Sequence, residues 1–245
     1  MLEDLKTIVC RANIDLVRYH LVTLTWGNVS GIDRTRGLVV IKPSGVAYDA
    51  MRPKDMVVVD LDGYVVEGDL RPSSDTPTHV CLYRNFPLVG GVVHTHSPCA
   101  AAFSQACRSI PCLGTTHADT FSGEVPVTRP LTRAEVETDY ELNTGRVIVE
   151  RFGDLNPSTV PAVLVANHGS FTWGTTPGLA VEHAVILEEV AKIALATLTI
   201  RPDTPHLASY ILDKHHSRKH GPNAYYGQRP GHPSKQPPSG ETSTE

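Results

Sequence analysis

His94 and His96 stand one residue apart in GGVVHTHSPCAA, residues 90–101. Val92 and Val93 before them, and small apolar residues after them, read as a buried strand. Side chains on a strand alternate faces, so His94 and His96 project together and Thr95 faces away. Two imidazoles on one face can bite one divalent cation. The same spacing also fits two unrelated polar residues at a strand end, so the pair needs a third ligand. His168 in VLVANHGSFTWG offers one. It ends an apolar run beside Gly169, where backbone can approach a ligand closely. Alone, His168 reads as a satisfied core histidine. Three imidazoles with an oxygen donor suit zinc or another first-row divalent ion.

Two short stretches read as anion grips. In PSSDTPTH, Ser73 and Ser74 precede a helix start marked by Pro77, and free N–H groups at such a start bind phosphate. Plain N-capping by Ser74 or Asp75 is the competing reading. KPSG, residues 42–45, combines the charge of Lys42, the hydroxyl of Ser44 and the exposed backbone of Gly45. It lacks the spacing of a nucleotide-binding P-loop. The basic run DKHHSRKHG reads as a solvated helix face, and the tyrosines of AYYG read as packing of the C-terminal segment.

The elements that must position these residues follow from periodicity and turn chemistry. Leu2, Leu5, Ile8, Val9, Ala12 and Leu16 keep helical spacing over residues 2–20. TWGNVSGID and GLVVIKPSG read as paired strands, and DMVVVDLDGYVVEG as a hairpin turning at Asp62-Gly63. A helix follows Pro77, and another opens at Pro98. Thr132 with Glu135 three residues on is a capping box, predicting a helix through TRAEVETDYELNTGRVIVERF. PAVLVANHGSFTWG reads as a strand leading into a glycine-rich loop, and PGLAVEHAVILEEVAKIALATL as the longest helix. Hairpins mixed with helices predict an α/β fold with helices on both faces of a sheet. RPGHPSKQPPSGETSTE, residues 229–245, has no strong apolar residue and reads as a disordered tail.

Composition sets the bounds. With 245 residues and 40% hydrophobic content, the chain suits one generous domain. The net charge of −4 offers no general attraction to nucleic acid or anionic membrane. No apolar run is long enough to span a bilayer, and the N-terminus has no basic n-region, so neither a membrane span nor a secretory signal is expected. The five cysteines include no CxxC pair, which favours a reducing cytoplasm over a disulfide framework.

Taken together, LVTLTWGNVS, IKPSGV, DMVVV, RPSSDTPTH, VHTHS, GTTHAD, ETDYELNTGRVIVE, HGSFTWG, LDKHHSRKHG and AYYGQ resemble the L-ribulose-5-phosphate 4-epimerases of the class II aldolase/adducin superfamily. The resemblance covers residues 1–228 as one catalytic domain. It implies a three-layer α-β-α sandwich with a largely antiparallel central sheet, assembled as a homotetramer with active sites between subunits. It implies Zn(2+), or another divalent ion such as Mn(2+), on His94, His96 and His168, with Asp75 on or beside the metal. The phosphate of a sugar phosphate would sit on Gly27, Asn28, Ser44, Gly45, Ser73 and Ser74, with Lys42 in the same pocket. Asp119 and Tyr226 match the acid/base pair, Tyr226 coming from the adjacent subunit. His215 and Arg218 lie near that interface, and Glu141 matches a further pocket carboxylate. The implied reaction interconverts L-ribulose 5-phosphate and D-xylulose 5-phosphate in pentose catabolism. A class II sugar-phosphate aldolase and a non-catalytic, adducin-like interaction module are the alternatives. Related aldolases carry glutamate where this chain has Asp75.

Overall fold

A computed structural model describes residues 2–221 and 224–226. The elements run α1 (Glu3–Arg18), β1 (Asn28–Asp33), β2 (Leu38–Ile41), a 3-10 turn (Pro53–Asp55), β3 (Val57–Asp60), β4 (Val65–Glu67), α2 (Thr76–Asn85), β5 (Gly91–Thr95), α3 (Pro98–Gln105), α4 (Thr115–Ala118), α5 (Arg133–Glu137), α6 (Tyr140–Arg151), β6 (Ala162–Leu164), β7 (Ser170–Gly174), α7 (Pro177–Ile200) and α8 (Ser209–His220). The seven strands form one sheet in the order β4-β3-β2-β1-β5-β7-β6. Every neighbouring pair is antiparallel. The expected α-β-α architecture is the one observed. The predicted tail, residues 229–245, lies outside the described residues.

Strand alternation sorts the chain into two apolar layers. Val39, Ile41, Val57, Val59, Val92, Phe171 and Trp173 share one core with Val80, Leu82 and Tyr83 of α2, Phe86 at its C-cap and Ile148 of α6. Val29 and Val93 face the other way and pack with Ala12 and Leu16 of α1 and Ala180, Val181 and Ala184 of α7. Phe86, Phe152 and Trp173 pack in tilted and edge-to-face pairs with ring centroids 5.1–5.6 Å apart, each aromatic pair adding about 0.5–1.5 kcal/mol beyond its buried area. Asn13 pins α1 to the sheet: its Nδ2 donates to the Val29 carbonyl and its Oδ1 accepts from Val29 N–H, at 3.0 and 2.8 Å. That fixes β1 next to Asn28.

Two sequence expectations are corrected. The capping box forms, with Thr132 Oγ1 accepting from Glu135 N–H and Glu135 accepting from Thr132 N–H. The helix it starts is short, however, and α6 begins afresh at Tyr140. Asn143 Nδ2 donates to the Glu135 carbonyl and to Thr138 Oγ1, holding the break between the two helices. SFTWG is strand β7 rather than loop, because Phe171 and Trp173 fill the core opposite α2. The turn lies earlier, at residues 165–169. There Val165 N–H donates to the Gly169 carbonyl and Asn167 takes a left-handed φ of 62°.

Candidate active site

β5 runs beside β1 near the middle of the sheet, and the register sets Asn28 directly across from His94. On the other side His94 faces Phe171 of β7. Its ring stacks on that phenyl at 4.3 Å between centroids, 17° from parallel. His96 continues two residues past His94, just beyond the strand end, as the alternation requires. His168 arrives from the β6–β7 turn. The ligand atoms of His94, His96 and His168 all lie within 4.8 Å of one another.

These residues fit a divalent cation. His94 Nδ1–H is taken by the Ser170 carbonyl at 2.9 Å, which leaves Nε2 free as the donor. His96 Nε2 lies 2.9 Å from His94 Nε2, near the spacing of about 3.3 Å that tetrahedral zinc imposes on neighbouring nitrogens. Burial, then the neighbouring His94 and His96, push His168 down to about 4. Burial and His94 also lower His96. Neutral imidazole, the form a metal requires, therefore predominates near neutral pH.

Gly169 makes the gathering possible. A Cβ there would meet the Thr95 carbonyl at 2.7 Å, His96 Cδ2 at 3.0 Å and His94 Cε1 at 3.4 Å. Gly169→Ala must push the turn away from the strand and spread the ligands. Affinity for a divalent cation should fall about 10–100-fold, the range for changes behind a metal ligand. Competition titration against a chelator checks this, and unchanged affinity would show that the turn does not set ligand spacing.

The two anion grips read separately from the sequence are one structure. Pro43 pairs with Pro72 in an antiparallel bridge. Ser73 N–H donates to the Lys42 carbonyl and Ser44 N–H to the Arg71 carbonyl, each at 2.9 Å. A cleft of about 400 Å³ is lined by Gly27, Asn28, Lys42, Ser44, Gly45, Ser73, Ser74, Asp75, Glu141 and the three histidines. Gly27 has φ +77°, and a Cβ there would lie 2.8 Å from the His94 carbonyl. Lys42 is 2% exposed, and burial lowers its pKa. Its amine lies 4.9 Å from the Tyr48 ring centre and 3.4 Å from the Thr25 and Pro43 carbonyls. No carboxylate pairs with it among the described residues. An anionic group in the cleft would supply that missing counter-charge.

Asp75 occupies the N-cap position of α2 without capping it. Its Oδ2 accepts from Asn28 Nδ2 at 2.6 Å instead, which turns the carboxylate into the cleft. Burial opposes its ionisation. The attraction of His94 and His79 and the Asn28 hydrogen bond outweigh that, leaving the carboxyl below its usual range. Asp75 is not part of the compact histidine group.

Asp119, His215, Arg218 and Tyr226 do not line this cleft. They form a second cluster where α8 packs on α4. Arg218 donates to both Asp119 oxygens, at 3.0 and 2.7 Å, and His215 Nδ1 lies 3.0 Å from Oδ1. Arg218 also sits 4.9 Å from the Tyr226 ring centre. Burial works against ionisation of Asp119, but the Arg218 and His215 hydrogen bonds prevail and hold its carboxyl below the usual range.

Three cleft residues, Thr25, Trp26 and Tyr140, escaped the sequence reading. The Tyr140 hydroxyl lies 3.4 Å from His168 Nδ1, and Trp26, 53% exposed, stands 6.3 Å from the His96 ring. Their one sequence signal is adjacency, to Glu141 and to Gly27.

Several solved structures share this architecture. An L-fuculose 1-phosphate aldolase is 25% identical with a TM-score of 0.74, over 88% of this chain and 95% of its own. YgbL from Escherichia coli, named as a candidate aldolase/epimerase/decarboxylase, is 26% identical with a TM-score of 0.69, over 88% and 99%. The L-fuculose-1-phosphate aldolase from Thermus thermophilus is 28% identical with a TM-score of 0.62, over 83% and 98%. Residues 7–195 match the model of the class II aldolase and adducin N-terminal domain, and the chain belongs to that family.

Proposed function

We propose that the chain is a metal-dependent epimerase that interconverts L-ribulose 5-phosphate and D-xylulose 5-phosphate by retro-aldol cleavage and re-addition. The observation that carries this reading is the second cluster. An ionised Asp119 and the phenol of Tyr226 are both organised around Arg218, and inversion needs two proton-handling groups for its two faces.

The chemistry follows from the substrate. The carbonyl at carbon 2 is too remote to acidify the proton on carbon 4, so direct deprotonation there is disfavoured. Removing the proton of the carbon-4 hydroxyl instead lets the bond between carbons 3 and 4 break. This yields the enediolate of dihydroxyacetone and glycolaldehyde phosphate. The aldehyde turns its other face, the bond re-forms, and the new carbon-4 alkoxide takes a proton. Asp119, held as a carboxylate, accepts the first proton, and the Tyr226 hydroxyl returns one on the opposite face. In the reverse reaction the roles exchange. A divalent cation, zinc or manganese, held by His94, His96 and His168 beside Asp75 supplies Lewis-acid stabilisation of negative charge on substrate oxygens.

The remaining cleft residues keep the fragment from leaving. Ser44, Gly45, Ser73 and Ser74 with Gly27 and Asn28 seat the phosphate, and Lys42 provides charge beneath it. Glu141 faces the same space. Because Asp119 and Tyr226 lie outside their own cleft, the complete site requires a neighbouring copy, as in a homotetramer with sites at its interfaces. The structural likeness to L-fuculose 1-phosphate aldolases favours a second reading, release of two free fragments.

Incubation with L-ribulose 5-phosphate separates the two readings. Formation of D-xylulose 5-phosphate, abolished by chelator and restored by divalent metal, is the expected result. Accumulation of free glycolaldehyde phosphate without epimer would replace the proposal with an aldolase.

A further inference from the structure

Beneath the cleft, two hydrogen-bonding atoms are buried without partners among the described residues: Asn28 Oδ1 and His79 Nε2. A buried polar atom left unsatisfied destabilises the fold, so each calls for a partner. They belong to neighbouring rungs between β1 and α2. Asn28 and Ser30 share one face of the strand, and Asp75 and His79 are one turn apart. Asn28 Nδ2 donates to Asp75 Oδ2, and Ser30 Oγ lies 2.7 Å from His79 Nδ1.

Proton counting gives this network a direction. Ser30 Oγ also lies 2.8 Å from the Tyr83 hydroxyl. Asn28 Oδ1 can only accept, so the arrangement that satisfies it has the ring proton on His79 Nε2, with Ser30 donating to Nδ1 and Tyr83 donating to Ser30 Oγ. His79 is fully buried and no carboxylate pairs with its ring among the described residues, so the ring carries a single proton. The Nε2–H donor then complements the Asn28 Oδ1 acceptor. No direct hydrogen bond joins the two, and the inference includes one water between them, accepting from Nε2–H and donating to Oδ1.

We infer that His79 is a positioning residue for Asp75: as its Nε2–H tautomer it fixes the Asn28 carboxamide with the oxygen inward and the NH2 group toward Asp75 and Ser73. The Asn28 amide donates at 2.6 Å to Asp75 and 3.0 Å to Ser73 Oγ. A flipped amide would set its oxygen against the Asp75 carboxylate. His79 thereby steers the cleft carboxylate without touching substrate. The inference rests on the cleft being the active site, but not on which sugar phosphate is turned over.

The test reads the ring itself. In zinc-loaded protein with 15N-labelled histidine, proton–nitrogen correlations assigned to His79 should show the Nε2–H tautomer. Ser30→Ala should raise the Nδ1–H fraction. His79→Phe should lower kcat about 10–100-fold, the range for residues behind a reacting group, with KM and metal content within about twofold. His79→Gln, which restores an N–H donor, should recover most of the loss. An Nδ1–H ring in the unmodified protein, or unchanged kcat in a folded His79→Phe, would overturn the inference. If His79→Phe does not fold, the tautomer and its response to Ser30→Ala decide. An Nε2–H ring in a protein inactive on L-ribulose 5-phosphate would sustain the positioning role and sink the epimerase instead.

Discussion

His96→Ala abolishes metal binding and turnover together while leaving the metal-free fold intact. His96 is exposed at the end of β5, so its removal opens no core cavity, and surface changes of this kind cost about 0.5 kcal/mol or less. Its Nε2 nevertheless stands 2.9 Å from that of His94 and closes the three-ligand group. Two imidazoles hold a cation far more weakly than three, so the loss of affinity should exceed the roughly 10–100-fold that outer-shell changes cost. Without Lewis-acid help worth several kcal/mol, turnover should drop about 10³-fold or more. Metal content after dialysis, kcat and a thermal melt of the metal-free protein check all three parts. A fully active variant lacking metal would refute the metal centre. His94→Ala is the less clean experiment, because that ring is buried and stacks on Phe171.

Tyr226→Phe gives the opposite dissociation. The phenyl ring keeps its place over Arg218 and only the hydroxyl is lost. Proton transfer by a positioned group contributes about 10²–10⁴-fold, so kcat should fall by that factor with metal content unchanged. Equal losses of metal and turnover would reject the acid/base role. The shared site adds a sharper check. Tyr226→Phe chains retain a sound cleft, and His96→Ala chains retain a sound Asp119–Tyr226 cluster. Co-assembly of the two inactive variants should restore about one quarter of full activity by random assortment around a ring. No recovery would place the whole site within one chain.

The metal pair was legible because period-two alternation holds whatever the surrounding fold. His94 and His96 must share a face once residues 91–95 are extended. Asp75 was harder. Its position before Pro77 reads as a helix cap, and it does stand at the N-cap position, yet Asn28 captures the side chain and no cap bond forms. Nothing local distinguishes those outcomes, since Asn28 lies 47 residues away. The break between α5 and α6 was hidden for a similar reason, because Asn143 reaches back to Glu135 and Thr138 only after the helix has already turned. His79 passed unremarked because a lone histidine in a helix carries no signal until its partners are placed.

Local chemistry by itself determined the elements and the residue types: an HxH strand, a histidine beside glycine, two phosphate-friendly loops, and helices opened by proline or a capping box. Only the tertiary structure decided their union. The Pro43–Pro72 bridge merges two grips into one cleft, and the β6–β7 turn delivers His168 to His94. Folding also parts Asp119 and Tyr226 from the cleft that their chemistry is proposed to serve. Alternation, capping and turn preference act over a few residues and can be read in order. Which loops meet depends on sheet order and on helices packing across it, energies summed over residues far apart in the chain.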